Sequence, residues 1–369
     1  MKAFRYLILI MFLLNMATFA LMYAGSGLGS FISSFSFIAL IVYYFFNDKQ
    51  HLALPFIILG LIYFIISGLV YIDAVDEFFK EAIKYLIVTV MAVGLMSETT
   101  YKEILIIFSI GAISIILNSL IFPNLYGRYS GFYLNPNRAG LVCILGFALA
   151  FKVEKYMYQL ALQFIFVLAG IMTLSRYFIL ILVAVYIISI IANKRNLIAF
   201  VVGGFALLLI FTQSSFQLNT DRLSALKSLF SDNVDTETIT KESRNETWSM
   251  FTDKILDSPI VGNGFDSMKG NEKSVLNKVG VHNTYLMILG ESGIIPFLIV
   301  IIIYVSLFFR SIKHFTENPI YTYIAFILLT NLLVTHNYFN NYITILISIW
   351  LYIKVKAEPN YQTTNPILK

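Results

Sequence analysis

The chain has 369 residues, of which 58% are apolar and only 13% are charged, and its formal net charge is +5. The apolar residues fall in long uninterrupted runs rather than in amphipathic stripes, which predicts an integral membrane protein. The positive charge lies mainly at the predicted inner ends of these runs, so it is no evidence for nucleic acid binding.

Twelve runs are long enough, or nearly so, to cross a bilayer. They cover residues 5–24, 27–46, 52–72, 78–97, 102–122, 138–152, 156–174, 176–192, 196–212, 284–309, 318–336 and 340–356. The first run has no small-x-small cleavage site and is followed at once by another, which favours a transmembrane helix over a signal peptide. The sequence therefore predicts an all-α integral membrane protein with about 12 transmembrane helices.

The distribution of lysine and arginine predicts the orientation. With a cytoplasmic N-terminus, the inner segments hold 13 of the 26 cations, the short outer segments hold 5, and 8 lie in one long outer loop. This inner excess places both termini in the cytoplasm. The inner loops are too short to contain a nucleotide-binding domain, which argues against ATP or a nucleotide-sugar as substrate.

Residues 213–283 form the one long loop, with 71 residues and 10 of the 21 acidic residues. Residues 219–230 and 242–256 have helical patterns, so we expect an extracytoplasmic (periplasmic) cap that carries short helices. The predicted organisation is therefore nine transmembrane helices in 1–212, the cap loop in 213–283, and three transmembrane helices with a short cytoplasmic tail in 284–369.

Arginines on the outer side are the first candidates for chemistry. Arg138 is followed by Lys152 after a helix of only about 21 Å, shorter than the hydrocarbon core of about 30 Å, and Arg176 begins a similarly short run. Such arginines either snorkel to the outer headgroups or line a polar cavity. In the second case the planar guanidinium matches phosphate oxygens. Arg128 lies in the loop before Arg138.

Two of the four histidines, His282 and His336, lie on the predicted outer side. His282 stands between the cap and a span, where its imidazole could accept a proton from a sugar hydroxyl or simply cap a helix. On a continuous helix Glu291 would lie on the face opposite His282, because nine residues turn about 900°. We therefore assign Glu291 to helix packing with Gly290 and Gly293.

Other chemistries lack their sequence patterns. The chain has no two-histidine metal spacing, no Gly-x-Ser-x-Gly, no phosphate-binding glycine loop and no Asp-x-Asp pair. We expect no metal and no cofactor. The single cysteine, Cys143, lies mid-span between apolar residues and is interpreted as a buried structural thiol.

Four short segments in register resemble the O-antigen ligase and polymerase superfamily of bacterial membrane glycosyltransferases. They are RYSGFYLNPNRAG (128–140), TLSRYFI (173–179), RNETW with the later SPIVGNGF in the large outer loop, and VHNTYLMILGESG (281–293). The resemblance covers about residues 125–300 in motif and the whole chain in topology.

The resemblance implies transfer of a glycan from an undecaprenyl-pyrophosphate-linked oligosaccharide to an acceptor at the outer face of the bacterial cytoplasmic membrane, without nucleotide or metal. The catalytic residues are then His282, Arg176 and Arg244. Substrate binding is assigned to Arg128, Arg138, Asn135, Asn137, Asn283 and His336. Membrane lipid is a partner, and a polysaccharide chain-length regulator is a further one that the sequence leaves open.

The compact chain and its aromatic content of 16% favour a polymerase of lipid-linked repeat units over a ligase that transfers the finished glycan to the lipid A core. A protein O-glycosyltransferase or another exopolysaccharide polymerase is a further enzyme of this kind. A transporter for lipid-linked sugars and a non-catalytic scaffold are the other classes. A transporter is disfavoured because its binding residues should lie near the bilayer midplane, and mid-span charge here is confined to Glu291.

Overall fold

The computed structural model describes residues 1–47, 52–70, 75–122, 127–198, 201, 203–205, 244–269, 280–335 and 337–357. These residues form helices and no strand, which confirms the all-α class. The α-helices are α1 (Lys2–Leu13), α2 (Met16–Ala24), α3 (Ser26–Phe46), α4 (Leu54–Val70), α5 (Val75–Glu98), α6 (Tyr101–Ile121), α7 (Pro136–Ala150), α8 (Tyr156–Met172), α9 (Arg176–Ala192), α10 (Arg244–Asp257), α11 (Thr284–Ser292), α12 (Ile294–Ile312), α13 (Pro319–Asn331) and α14 (Tyr342–Ala357).

Three of the described helices, α3, α6 and α12, are long and apolar enough to cross a membrane on their own. The bent pair α1 and α2 makes a fourth candidate if it counts as one span, and α4, α7, α8, α9 and α13 are shorter apolar helices. The total of twelve spans and the extent of the cap loop therefore stay predictions. Large apolar side chains project from the outer faces of several helices, as expected of a surface that contacts lipid.

The first predicted span is broken, which corrects the expectation of one helix over 5–24. The axes of α1 and α2 differ by 64°, and Asn15 between them adopts the left-handed conformation with φ 55°. Asparagine tolerates this conformation better than most residues. Its side-chain amide donates to the Tyr133 carbonyl at 3.5 Å and its Oδ1 accepts from Thr18 at 2.9 Å, so the break is tied to the neighbouring loop.

The span predicted over 284–309 is also two helices, α11 and α12, joined at Gly293 with φ 77°. A Cβ at Gly293 would lie 2.0 Å from the Ile260 carbonyl oxygen. The loop after α10 thus packs directly on this joint, and Gly264 N donates to the Glu291 carbonyl at 3.1 Å. Hydropathy does not detect the break because both helices are apolar. In the same way α13 ends at Asn331, before the predicted end at 336.

Polar contacts gather the helix ends that were predicted on the inner side. Arg5 contacts Glu98 at 2.9 Å and Glu103 at 2.5 Å. The Trp350 indole donates to the Thr99 carbonyl at 3.0 Å, and the Lys152 ammonium donates to Asn318 at 3.1 Å. These contacts join segments that are far apart in sequence. They bring the helix ends together at one end of the bundle. The side of the membrane on which this end lies stays a prediction.

The central helix is α7, in which every residue from Ala139 to Ala150 is buried. Cys143 is among them, as expected. Small residues allow neighbouring helices to approach closely: a Cβ at Gly146 would lie 2.2 Å from the Phe166 ring, and one at Gly140 would lie 3.1 Å from Ser175. This packing holds the N-terminus of α7, and hence Arg138, deep between the surrounding helices.

Candidate functional site

The N-terminus of α7 positions Arg138. Asn135 caps the helix, because its Oδ1 accepts from the backbone N–H groups of Asn137 at 2.9 Å and Arg138 at 3.2 Å. Pro136 occupies the first helical turn, where its missing N–H is tolerated. The Asn137 side chain in turn accepts from the Ser175 hydroxyl at 3.3 Å, which connects α7 to the start of α9. The segment 128–140 thus forms a rigid platform for one arginine.

The Arg138 side chain is largely buried and lines two adjoining cavities. Within the described part of the chain its guanidinium makes no hydrogen bond and no ion pair. A buried charge without a partner is costly, and a cation in the first turn of a helix is further disfavoured by the helix dipole. Both costs fall when an anion binds beside it. Arg138 is therefore a candidate for binding an anionic group.

The smaller cavity has a volume of about 60 Å³ and brings His282 together with Arg138. It is lined by Asn135, Asn137, Arg138, Leu141, His282, Asn331, Val334, Thr335, Asn337 and Asn341. Polar side chains dominate this wall. Three residues from the 128–140 segment and one from the 281–293 segment thus meet, although they are well separated in sequence.

His282 lies outside the helix that follows it. Its φ is +46°, and α11 begins only at Thr284. Asn283 caps α11 by accepting from Tyr285 N and Leu286 N at 3.0 and 3.2 Å. The assumption of a continuous helix from His282 to Glu291 is therefore wrong. A left-handed backbone is strained for histidine, so surrounding contacts must maintain this conformation.

The larger cavity has a volume of about 320 Å³ and lies at the break between α1 and α2. Its wall includes Arg138 and a second cation, Lys84 of α5, together with Asn15, Ser33, Ser36, Thr18, Asn337, Asn340 and Tyr342. Lys84 was not among the predicted site residues. The signal was present, because a lysine six residues inside a predicted span needs a reason to be there.

A third, narrow cavity is acidic. The Glu291 carboxylate accepts from the Tyr63 hydroxyl and from Met268 N at 3.3 Å. Glu81 and Asp266 line the same space, where Lys269 forms an ion pair with Asp266. Burial acts to lower the pKa of Lys269. The hydrogen bond to Asp266 and the charges of nearby carboxylates raise that pKa by more, so the net shift is upward.

The role given to Glu291 is therefore corrected. Its carboxylate is a buried hydrogen-bond acceptor that joins α4 to the loop after α10. The two neighbouring glycines do serve close packing, since a Cβ at Gly290 would lie 2.5 Å from the Met268 sulfur. Burial on all sides explains why helix periodicity did not reveal the partners of this carboxylate.

The other predicted arginines do not line the two cavities that share Arg138. Arg128 donates from Nε to the Thr173 carbonyl at 3.1 Å and so holds its loop to the turn before α9. Arg176 is exposed at the first position of α9, where Ser175 provides the cap. Arg128 belongs to the same 128–140 segment as Arg138, and Arg176 follows Ser175, whose hydroxyl donates to Asn137 of that segment.

The side chains of two predicted site residues are not described by the structure. Arg244 begins α10, but its side chain lies outside the described residues, and His336 lies outside them altogether. The helix predicted over 242–256 is present as α10, and its Phe251 and Ile255 are buried. The described residues contain no group of three or more His, Cys, Asp or Glu side chains placed to hold a metal ion, and the expectation of a metal-free site stays a prediction.

Part of the chain matches a known protein family. Residues 161–301 match a family model described as O-antigen ligase. This segment is similar to the O-antigen ligase family. The match includes the 173–179 and 281–293 segments and the motifs of the outer loop, and it confirms the resemblance to the O-antigen ligase and polymerase superfamily. No curated protein matches the chain.

The matched segment thus contains His282, whereas Arg138 precedes it in the sequence. The match begins at residue 161, and residues before and after that position line the cavity that Arg138 and His282 share. The helices before residue 161 therefore contribute directly to the candidate site.

Proposed function

We propose that this protein is a membrane glycosyltransferase that polymerises undecaprenyl-pyrophosphate-linked repeat units into O-antigen or a related surface polysaccharide. The observation that carries the proposal is the shared cavity of Arg138 and His282. The site would lie at the outer face of the bacterial cytoplasmic membrane, with both termini in the cytoplasm. A chain-length regulator would be an additional partner.

The reaction needs stabilisation of a leaving pyrophosphate and removal of one proton. The acceptor hydroxyl oxygen forms a bond to the anomeric carbon as the bond from that carbon to the pyrophosphate oxygen breaks, with inversion. Arg138 offsets the charge that develops on the leaving group, and its burial strengthens the interaction. His282 accepts the hydroxyl proton. Neither step requires a metal or a cofactor.

The remaining predicted residues take supporting roles in this proposal. Arg176 and Arg244 would contact the pyrophosphate from the outer side, with Arg128 and His336 nearby. The Oδ1 atoms of Asn135 and Asn283 already accept backbone hydrogen bonds, so these residues position Arg138 and His282. Only their Nδ2 groups remain to contact substrate.

The test is transfer activity of the purified protein in lipid nanodiscs with lipid-linked repeat units. We expect His282→Ala to reduce turnover about 100-fold or more, because a general base contributes about 10²–10⁴-fold. The matched control is His314→Ala, just beyond the C-terminal end of α12 and absent from the residues that line the cavities. Turnover of the His282→Ala protein within a few-fold of wild type, with unchanged thermal stability, would rule out the proton-acceptor role.

An O-antigen ligase is the second candidate, favoured by the description of the matched domain. Deletion of the gene in its native host separates the two. Single repeats on both the lipid carrier and the surface acceptor indicate a lost polymerase. Long chains on undecaprenyl pyrophosphate with a bare surface acceptor indicate a lost ligase.

A further inference from the structure

We propose that the larger cavity is an anion-binding subsite in which Lys84 and Arg138 together bind a phosphate or carboxylate group of the lipid-linked substrate. This inference rests on the proposed function, which supplies the substrate. It assigns a binding residue to α5, in the part of the chain that precedes the matched segment.

Charge is the first argument. Lys84 and Arg138 are both in the wall of this cavity, and the residues that line it include no aspartate or glutamate. Lys84 contacts the Ser33 hydroxyl at 3.5 Å and lies 5.4 Å from the centroid of the Phe37 ring. Within the described structure neither cation forms an ion pair. Two uncompensated cations in one concave site favour an anionic ligand.

Depth is the second argument. Lys84 precedes Glu98, the last residue of α5, by about 21 Å of helix, and Arg138 precedes Ala150, the last residue of α7, by about 18 Å. The two cations thus come from different helices but lie at similar distances from the helix ends that were predicted on the inner side. A single ligand group can therefore contact both.

The carboxylate closest to Lys84 along α5 has other partners. Glu81 lies one helical turn before Lys84, but its Oε1 accepts from Asn340 Nδ2 at 3.0 Å and lies 4.0 Å from the Lys269 ammonium. Asn340 lines both the acidic cavity and the larger cavity. Glu81 lines the acidic cavity and is not among the residues that line the larger one.

Shape is the third argument. The left-handed Asn15 and the 64° bend carry α2 away from the axis of α1, and residues from both helices line the cavity. Its volume of about 320 Å³ lies at the lower end of the roughly 300–1,000 Å³ that is usual for small-ligand sites. Arg138 and Asn337 line both this cavity and the His282 cavity. One substrate can therefore bind here through its anionic group and extend to His282.

Two sources could supply the anion: the diphosphate of the lipid carrier or an acidic sugar of the glycan. We would measure dissociation constants by calorimetry for the full chain in nanodiscs, with farnesyl pyrophosphate and methyl glucuronide as probes and farnesol as the uncharged control. The variants are Lys84→Gln and Lys84→Arg. Lys80→Gln is the matched control, because Lys80 is exposed on the same helix and outside the cavity.

We expect Lys84→Gln to weaken binding of one probe about tenfold, as loss of a charged hydrogen-bond donor does. Lys84→Arg should stay within about threefold of wild type, which also shows that the site is folded. Weaker farnesyl pyrophosphate binding assigns the cavity to the lipid diphosphate, and weaker glucuronide binding alone assigns it to an acidic sugar. The proposal is overturned if wild type binds neither probe. It is also overturned if the Lys84→Gln and Lys80→Gln proteins have the same dissociation constant for each probe.

The His282→Ala protein separates this inference from the proposed function. It should bind the same probe as wild type and lose transfer. If it retains transfer, the proposed function fails, while the anion subsite is still judged by the Lys84 variants.

Discussion

Arg5 and Arg138 both lie at the polar end of an apolar helix, yet their surroundings differ completely. Arg5 contacts two carboxylates, Glu98 and Glu103, at one end of the bundle. Arg138 lies between two cavities and has no ion pair within the described structure. The first arginine joins three helices through its ion pairs, whereas the second lines two cavities. Both are arginines near the start of an apolar helix, so only their neighbours distinguish the paired cation from the unpaired one.

Substitution of Arg138 tests the functional side of this comparison and should have the largest effect. We expect Arg138→Gln to lower kcat/KM for lipid-linked substrate about 10²–10³-fold, because one preorganised group that stabilises developing charge is lost. Thermal stability should stay the same or rise, since an unpaired buried cation is removed. Transfer assays and unfolding curves on the same nanodisc samples measure both. A large loss of stability in Arg138→Gln would show that this arginine is structural after all.

Substitution of Arg5 should give the opposite pattern. Arg5→Gln leaves the buried Glu103 carboxylate without its cation, so we expect a loss of about 3 kcal/mol in the free energy of unfolding. The kcat/KM of the folded fraction should be unchanged. The double variant Arg5→Gln with Glu103→Gln should recover part of the stability. If the double variant is no more stable than Arg5→Gln, the broken ion pair is not the cause of the lost stability.

The joint at Gly293 sharpens the comparison with a site that has no charge. Gly293→Ala adds a Cβ next to the Ile260 carbonyl and a side chain at φ 77°. We expect a loss of about 1–3 kcal/mol in the free energy of unfolding, because such a backbone conformation is strained for alanine. Gly27→Ala is the control, since a Cβ there meets nothing within 4 Å. Equal stability of the two variants would contradict the close packing at the joint.

Tyr63→Phe should have the smallest effect of the four. It removes the hydroxyl that donates to Glu291 and keeps the ring stacked on Phe339, whose centroid is 3.8 Å away. We expect a loss of about 1–2 kcal/mol in the free energy of unfolding, because a buried acceptor loses one partner. Tyr285→Phe, which loses a single bond to a backbone carbonyl, is the matched control. Transfer activity should be unaffected. A strong loss of activity would show that the acidic cavity takes part in the transfer reaction.

The sequence by itself determined the membrane class, the all-α fold and the superfamily, because long apolar runs and short local motifs are properties of contiguous residues. It also identified Arg138 and His282 as candidates, since each is a polar residue where an apolar helix begins. The tertiary structure decided which candidates share a cavity, and it added Lys84. It also decided the breaks at Asn15 and Gly293 and the hydrogen bonds of Glu291. These features depend on contacts between residues far apart in the chain, and a hydropathy pattern averages over such contacts.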